Sequence, residues 1–380
     1  MRLKWQWKYK KSLKNKKTNK YYFIAGEASG DLHGGNIIKE IKKEHPHSSF
    51  LGVGGPKMEK EGMRSIVSIE KLAVLGFWEV FKNLSFFLKL KKEVVSHILK
   101  NNPDKVILID YPGFNLKIAQ ELRKHSSVPI IYYISPQLWA WKENRLSIIK
   151  KNVSKMIVLF PFEKEWYLKR NFKAYYFGHP LMELHANFLK QYKKNSLESK
   201  FVVGLFPGSR KQELKKHLPL YKSIVKELNS RYKNIFYIIK LFNNSDFNAQ
   251  KSLGLTENFT IENKESFYAF HDCDFAVVAS GTATLECAIT NTPMAVIYKT
   301  SWLSWFIAKL VLRIKFVSIV NILNKKEIVK EFLQNKASAK KITDHIVSFM
   351  HKKNSTDYSK TNELLYKKNI YKNTSMEIIK

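Results

Sequence analysis

Cysteine, acidic residues and long apolar runs are all scarce in this chain, and each shortage excludes a class of protein. Two cysteines in 380 residues are too few for a disulfide framework or for a structural zinc site. The most apolar stretch, Trp302–Val320, is interrupted by three cationic residues, so it does not predict a membrane-spanning helix. We therefore expect a protein of a reducing compartment that does not cross a membrane.

The shortage of acidic residues leaves a formal net charge of +34, from 66 basic and 32 acidic side chains. Only 8 of the basic residues are arginines, whereas proteins that read nucleic acid usually rely on arginine for bidentate contacts, so no nucleic-acid partner is predicted. The lysines form either a plain solvated surface or a surface attracted to anions such as a membrane. Residues 1–20 are a basic head without the apolar run of a signal peptide, and we expect them to be disordered.

The remaining composition, 44% hydrophobic and 26% charged, is typical of a globular protein. Short apolar runs such as Lys105–Ile109 and Phe201–Phe206 alternate with amphipathic segments, a rhythm that predicts α/β domains with doubly wound parallel sheets. The polar stretch Glu183–Lys200 divides two such series. The sequence predicts Rossmann-like domains over 21–185 and 186–345. A helical tail over 346–380 is expected to pack on the first domain or on a partner subunit.

Ligands of open parallel sheets bind beyond the carboxyl ends of the strands, so the loops at those ends are the candidate sites. The first loop, Gly26–Asp31, has two glycines that permit a ligand to approach a helix start closely. The alternative interpretation is a helix start capped by Ser29 or Asp31. The nearby His33 is a candidate base, although a lone histidine is more often a packing residue.

The second loop, Ile109–Asn115, places Asp110 directly after an apolar strand. Partial desolvation there raises the pKa of a carboxyl group and makes its carboxylate a better base. The alternative is an aspartate that caps the following helix. The aromatic segment Ser135–Trp141 also follows a strand, and its two tryptophans serve either in packing or as the wall of a sugar or acyl site.

Two further loops follow strands of the second domain. Phe206–Arg210 ends in an arginine that can grip a diphosphate at two points, unless Arg210 only forms a surface salt bridge. In Ala279–Glu286, a helix start built from small residues exposes backbone donors to a phosphate leaving group. Glu286, one turn into the helix, is placed to accept hydrogen bonds from ribose hydroxyls. The residues whose backbone N–H groups would face the phosphate are Ser280, Gly281 and Thr282.

Ten collinear segments together resemble the lipid-A-disaccharide synthases, from about residue 21 to 335. They are Gly26–Asp31, Gly52–Met58, Leu72–Val80, Ile109–Asn115, Ser135–Trp141, Phe160–Tyr167, Gly178–Leu181, Phe206–Glu213, Ala279–Glu286 and Val317–Leu323. Many members of that family have a second aspartate at the position of Gly113. Whatever that aspartate does in those proteins, Gly113 cannot do it in this chain.

The resemblance implies a GT-B glycosyltransferase fold, with two Rossmann-like domains facing across a cleft. It implies inverting transfer of 2,3-diacylglucosamine from its UDP donor, UDP-2,3-diacylglucosamine, to 2,3-diacylglucosamine 1-phosphate. The products are the β-1,6-linked lipid A disaccharide 1-phosphate and UDP. Asp110 matches the family's catalytic aspartate, with His33 as the reserve base. The substrate- and UDP-binding positions it implies are Glu27, Ser29, Arg210, Glu286 and Asn321.

The expected mechanism uses no cofactor and no metal, because no Asp-x-Asp pair follows a strand at a predicted site. Since both substrates carry acyl chains, we expect a cytoplasmic protein bound peripherally to the inner membrane. Its docking segment would be the amphipathic stretch Phe81–Leu99, whose alternative role is to cover the first sheet. Members of the family form dimers, so a homodimer is a further expectation.

Two rival functions remain open on the residues alone. One is another UDP-sugar enzyme of the same architecture, because uridine sites are alike across such enzymes; equal activity on non-acylated UDP-GlcNAc would favour it. The other is a basic nucleic-acid- or membrane-binding protein without catalysis, for which a change at Asp110 would have no effect.

Overall fold

A computed structural model of the chain describes most of its residues. The described ranges are 18–69, 84–193, 200–208, 211–241, 252–262, 264–301, 305, 314–352 and 356–380. The basic head over 1–17, the family-like segment Leu72–Val80 and the candidate clamp Arg210 lie outside them.

The chain divides into two compact units. The first unit comprises the described residues up to Pro180 together with Lys367–Lys380, and the second comprises Leu181–Tyr366. Both are built from parallel strands joined through helices. The residue runs that predict strands are apolar except for a lysine at the end of some of them, because each sheet is covered on both faces.

Among its described residues the first unit has seven strands and seven whole helices, and an eighth helix, α7, begins at Pro180, where the first segment of the unit ends. The strands are β1 (Lys20–Ala25), β2 (Ser49–Gly54), β3 (Met63–Ser68), β4 (Lys105–Ile109), β5 (Ile130–Tyr133), β6 (Lys155–Val158) and β7 (Ala174–Tyr176). The helices are α1 (Ala28–Glu44), α2 (Pro56–Lys60), α3 (Leu84–Asn101), α4 (Pro112–Leu122), α5 (Arg145–Asn152), α6 (Pro161–Leu168), α7 (Pro180–Leu189) and, at the end of the chain, α14 (Ile370–Ile379).

The strand order of the first sheet is β3-β2-β1-β4-β5-β6-β7. The chain therefore winds outward from β1 to β3, returns to the other side of β1 and continues to β7. Val106–Ile109 on β4 are fully buried, and the apolar face of α3, formed by Leu90, Val94 and Ile98, packs over the sheet. The switch in winding direction lies between β1 and β4, which pair with Ala25 opposite Ile109.

The second unit repeats this architecture, with six strands in the part that the structure describes. They are β8 (Phe201–Phe206), β9 (Ile235–Lys240), β10 (Phe259–Glu262), β11 (Phe275–Ala279), β12 (Met294–Tyr298) and β13 (Lys330–Leu333). The described helices are the greater part of α7, α8 (Lys211–Arg231), α9 (Ser266–His271), α10 (Thr282–Ile289), α11 (Ile319–Asn324), α12 (Ala339–Lys352) and α13 (Ser359–Leu365). The strand order β10-β9-β8-β11-β12-β13 puts the switch between β8 and β11.

The end of the chain returns to the first unit. Helix α14 packs on α1, and the Lys105 ammonium group donates to the carbonyl of Ile378 at 2.6 Å. The Lys155 ammonium group lies 2.9 Å from the carboxylate of Glu377. Cations at the C-terminal end of a helix stabilise it, because the carbonyls there have no partners inside the helix. Among the described residues no helix is both long and apolar enough to span a membrane.

Candidate active site

The described parts of the four candidate loops leave their sheets at the two switch points. In the first unit, Gly26–Asp31 follows β1 and Asp110 follows β4, and these strands are neighbours. In the second unit, Pro207 follows β8 and Ser280 follows β11, which are also neighbours. A switch point opens a crevice at the carboxyl edge of a sheet, because the two connections leave toward opposite faces.

Asp110 is the most perturbed acid of the first unit's switch point. Burial, reinforced by the negative charge of Glu27, raises the pKa of Asp110 to about 6, whereas the backbone N–H of Tyr111 opposes the rise. Asp110 and Tyr111 both have left-handed backbones, with φ of 47° and 48°. Such a conformation is unfavourable for residues other than glycine and occurs where the surroundings enforce it.

Two side chains hold the peptide of Asp110 in this conformation. The Asn115 amide donates to the carbonyls of Asp110 at 2.7 Å and of Ile109 at 3.1 Å. The buried hydroxyl of Tyr132, on the neighbouring strand β5, donates to the carbonyl of Asp110 at 2.6 Å. The carboxylate therefore projects from a peptide that is fixed from two directions.

The loop after β1 lies beside Asp110. Glu27 and Ser29 are exposed, and the charge of Glu27 acts on both Asp110 and Tyr111. A β-carbon added at Gly26 would lie 2.4 Å from the ring of Tyr111, so only glycine permits this approach. The structure thus brings Glu27 close enough to Asp110 for their charges to interact, and Ser29 is exposed on the same loop as Glu27.

The capping alternative for this loop is wrong. Glu27 is the N-cap residue of α1, and no side chain caps that helix end. Asp31 instead turns to the second family-like segment, where its carboxylate accepts from the backbone N–H groups of Gly55, Lys57 and Met58 at 2.9–3.0 Å. Asp31 therefore joins two motifs that are 24 to 27 residues apart, a role that local sequence reasoning missed.

His33 is buried in the packing of α1. Its Nδ1 atom lies 2.8 Å from the hydroxyl of Tyr371 on α14. Burial lowers the pKa of His33 to about 4, which makes it a weak base. This geometry favours Asp110 over His33 as the proton acceptor.

The aromatic segment Ser135–Trp141 is attached to α6 by two hydrogen bonds. The hydroxyl groups of Ser135 and Tyr167 lie 2.8 Å apart, and the Trp139 indole N–H donates to Glu163 at 3.1 Å. The Glu163 carboxylate also accepts from the N–H groups of Leu159 and Phe160, and burial raises its pKa to about 7. Sequence reasoning did not select Glu163, although a glutamate three residues after the N-cap residue, here Phe160, is a capping signal.

The second unit's switch point is built from small residues. Gly281 is the N-cap residue of α10, with a φ of 156° that favours glycine, and both it and Thr282 are exposed. The Ser280 hydroxyl donates to the carbonyl of Val317 at 3.1 Å. One turn into the helix, burial raises the pKa of Glu286 to about 7, opposed by a hydrogen bond from Ser266 and by the charge of Lys240.

Asn321 is buried, and its amide group makes four hydrogen bonds within the chain. It donates to Val329 and Glu331 at 2.9 and 2.8 Å, and accepts from the N–H groups of Ile328 and Val329 at 2.7 and 3.0 Å. Glu331 in turn accepts from the N–H of Ser318. Because the amide has two donor and two acceptor positions, this arrangement leaves none for a nucleotide.

A family model described as lipid-A-disaccharide synthetase matches residues 21–378 of this chain. The chain belongs to the lipid-A-disaccharide synthase family. Relatives named lipid-A-disaccharide synthase include one from Geobacter sulfurreducens, 34% identical and covering 88% of each chain. Another from Idiomarina loihiensis is 35% identical over 88% of this chain and 90% of its own. The family resemblance of the sequence is confirmed, and the chain is a glycosyltransferase that forms the lipid A disaccharide.

Solved structures confirm the predicted GT-B class for this synthase. The glycosyltransferase of kitacinnamycin aligns with a TM-score of 0.66 at 11% identity, covering 96% of this chain and 99% of its own. A putative UDP-N-acetylglucosamine 2-epimerase from Listeria monocytogenes aligns with a TM-score of 0.63 at 12% identity, covering 96% of each chain. At such low identities the likeness concerns the fold alone.

Proposed function

We propose that Asp110 is the general base of this lipid-A-disaccharide synthase. The carboxylate accepts the proton of the acceptor's 6-hydroxyl, while that oxygen bonds to the anomeric carbon of the donor sugar and the bond from this carbon to UDP breaks. The observation that carries the proposal is the pKa of about 6, produced by burial and by Glu27 beside a strained and doubly held peptide. A base is most effective when its pKa lies near the working pH.

The second unit binds the nucleotide in this proposal. The exposed start of α10 at Gly281 and Thr282 offers backbone N–H groups to the diphosphate, and Glu286 accepts from the ribose hydroxyls. Arg210 is assigned to the diphosphate on its place in the motif. Asn321 supports the site indirectly, because it holds Glu331, whose carboxylate accepts from the Val317 and Ser318 N–H groups beside Ser280.

The proposed mechanism assigns no metal ion. In the part of the chain that the structure describes, no three histidine, cysteine, aspartate or glutamate side chains are grouped to hold one. Charge that develops on the leaving UDP is then stabilised by the N–H groups of α10 and by Arg210. One well-placed donor of this kind contributes about 3–4 kcal/mol in the transition state.

The deciding experiment measures UDP release with the diacylated donor and acceptor in the presence of EDTA. We expect full turnover by the wild-type enzyme and a loss in kcat of roughly 10²–10⁴-fold in Asp110→Asn. Asp104→Asn is the matched control, because Asp104 precedes the amino end of the same strand and accepts from the backbone N–H of Lys20.

Three results would contradict the proposal. Undiminished turnover by Asp110→Asn would show that Asp110 is not the base. Loss of wild-type turnover with EDTA would show that the reaction needs a metal ion. Equal rates with non-acylated UDP-GlcNAc would favour a different UDP-sugar enzyme.

The lipid end of the reaction supports peripheral binding at the cytoplasmic face of the inner membrane. Helix α3 covers the sheet with one face, but Phe86 and Leu88 are 37% and 46% exposed beside the exposed lysines Lys89 and Lys92. Apolar side chains flanked by cations bind anionic bilayers.

Aromatic rings lead from this exposed edge toward the base. The ring centroids of Phe86 and Phe87 are 5.8 Å apart, those of Phe87 and Phe114 are 6.1 Å apart, and those of Phe114 and Tyr111 are 6.2 Å apart. Tyr111 directly follows Asp110. The row is a continuous series of aromatic contacts from the proposed docking surface to Tyr111, and in this proposal the acyl chain lies along it.

Vesicle sedimentation tests the docking surface. The enzyme should sediment with anionic vesicles at low salt, and Phe86→Ser with Leu88→Ser should release it. Leu168→Ser is the matched control, since Leu168 is 64% exposed elsewhere in the same unit. Sedimentation unaffected by the double change would remove this surface from the proposal. The homodimer is proposed on the family alone, and analytical ultracentrifugation measures it.

A further inference from the structure

A buried polar pair on α8 contacts residues of three neighbouring strands, or residues directly after them, in the second unit. His217 and Tyr221 are four residues apart, so they lie on one face of the helix, and both are fully buried. The Tyr221 hydroxyl lies 2.9 Å from the carbonyls of both Phe206 on β8 and Val277 on β11. The proposed mechanism uses neither side chain.

His217 spans a wider gap than Tyr221. Its Nδ1 atom lies 2.7 Å from the carbonyl of Pro207, and its Nε2 atom lies 3.0 Å from the backbone nitrogen of Lys299. Pro207 follows β8 and Lys299 follows β12, which lie on either side of β11. The imidazole therefore bridges across the strand end from which Ser280 and Gly281 depart.

These two partners define the protonation state of the ring. A carbonyl only accepts a hydrogen bond, so Nδ1 carries the proton, and a backbone N–H only donates, so Nε2 is bare. The ring is thus neutral, in agreement with a pKa that burial lowers. A second proton on Nε2 would face the N–H of Lys299 and break that hydrogen bond.

We propose that neutral His217 is a positioning residue for the UDP group. By joining Pro207 to Lys299, it sets the position of the loop after β8 relative to the loop after β11, from which α10 begins. The inference rests on the proposed role of those loops in binding the nucleotide. Its physical route is short, because the Ser280 N–H bonds the carbonyl of Ile297, two residues before Lys299. Displacement of the β12 end therefore moves the start of α10.

Charged and titratable groups surround the His217 ring, and the link that it forms between Pro207 and Lys299 is sensitive to acid. Glu213 on its own helix favours the protonated ring, and the Lys299 ammonium group opposes it. The ring of Tyr298 lies 6.5 Å away, and Tyr221 is one turn further along α8. Protonation breaks one of the two bridging bonds, so the dissociation constant of UDP should rise as the pH falls toward the pKa of this ring.

Two substitutions separate the two halves of the bridge. His217→Asn retains a donor near the position of Nδ1 but loses the acceptor for Lys299, and His217→Gln retains an acceptor near the position of Nε2 but loses the donor to Pro207. We expect either change to raise the dissociation constant of UDP and the donor KM roughly three- to tenfold, the effect of one lost hydrogen bond, with kcat unchanged. Both variants should lose the acidic weakening of UDP binding.

His345→Gln is the matched control, because His345 is a half-buried histidine of the same unit whose pKa burial also lowers. It should leave both UDP affinity and its pH dependence as in the wild type. The bridge itself is visible in the wild-type enzyme as a proton on Nδ1 in two-bond ¹H–¹⁵N spectra, which needs no variant to fold.

A proton on Nε2 at neutral pH would overturn the proposal, as would UDP binding by both variants with wild-type affinity and pH dependence. A fall in kcat at unchanged KM would also contradict it. If the wild-type enzyme itself does not bind UDP, the proposed function of the second unit fails along with it. If the wild type binds UDP and both variants bind it equally well at every pH, only the proposed role of His217 is refuted.

Discussion

The carboxyl edges of the two sheets share one topology but differ in what they present. The first edge holds the reactive acid Asp110 in a strained backbone beside Glu27. The second presents glycine, serine and backbone N–H groups at the start of α10, supported underneath by neutral side chains such as Tyr221 and Asn321. One edge is suited to moving a proton and the other to holding an anion, although both come from the same strand order.

The largest difference that we expect between the two edges is the loss of folding stability that Asp110 causes at the first edge. Since the pKa of Asp110 is raised in the folded state, the folded enzyme holds a proton that the unfolded chain releases between about pH 4 and 6. Its ionisation at higher pH therefore opposes folding. Asp110→Asn should raise the free energy of unfolding at pH 8 by about 2 kcal/mol, allowing for partial exposure, and by nothing at pH 3.5. Denaturant titration at the two pH values measures this, and an equal effect at both would contradict it.

Glu286→Gln probes the second edge with the same kind of change. Its carboxyl group also has a raised pKa, but its assigned role is binding. We expect the donor KM to rise roughly 10- to 100-fold with little change in kcat, because a hydrogen bond to a charged group contributes about 1.5–3 kcal/mol. Steady-state kinetics against donor concentration separates the two constants. A fall in kcat at unchanged donor KM would contradict the binding role of Glu286, because both edges would then act in the chemical step.

Tyr132→Phe tests whether the first edge depends on its fixed peptide. The change removes only the hydroxyl that donates to the Asp110 carbonyl. We expect kcat to fall about fivefold at constant donor KM, the effect of one hydrogen bond on the position of the base. The paired change Tyr221→Phe in the second unit should affect donor KM and leave kcat unchanged, and the reverse pattern would refute the comparison.

Glu27→Gln should give the smallest effect. Asp110 must be ionised to act as a base, so activity falls as the pH drops below about 6. Removing the negative charge of Glu27 lowers the pKa of Asp110, and the acidic limb of kcat/KM should move down by roughly half a unit. A limb that stays in place or moves upward would show that Glu27 does not act on the base.

The sequence predicted both sheets and the loops at their switch points, because alternation of apolar strands and helices is a local signal. It did not predict the left-handed backbone at Asp110, which depends on Asn115 and on a strand beyond it. Nor did it predict the contacts of Asp31 or of His33 with Tyr371, since those partners are 24 to 338 residues away. Periodicity locates elements, but only the assembled sheet decides which side chains meet.

The docking of α14 on α1 makes the first unit discontinuous in the chain. During synthesis, the residues up to Pro180 emerge from the ribosome first, followed by all of the second unit. Until Tyr371 and its helix arrive, the surface around His33 stays wet and the Lys105 and Lys155 cations lack their carbonyl partners. Full protection of the nascent first unit against proteolysis therefore waits for translation of the second, an order of maturation opposite to that of simple tandem domains.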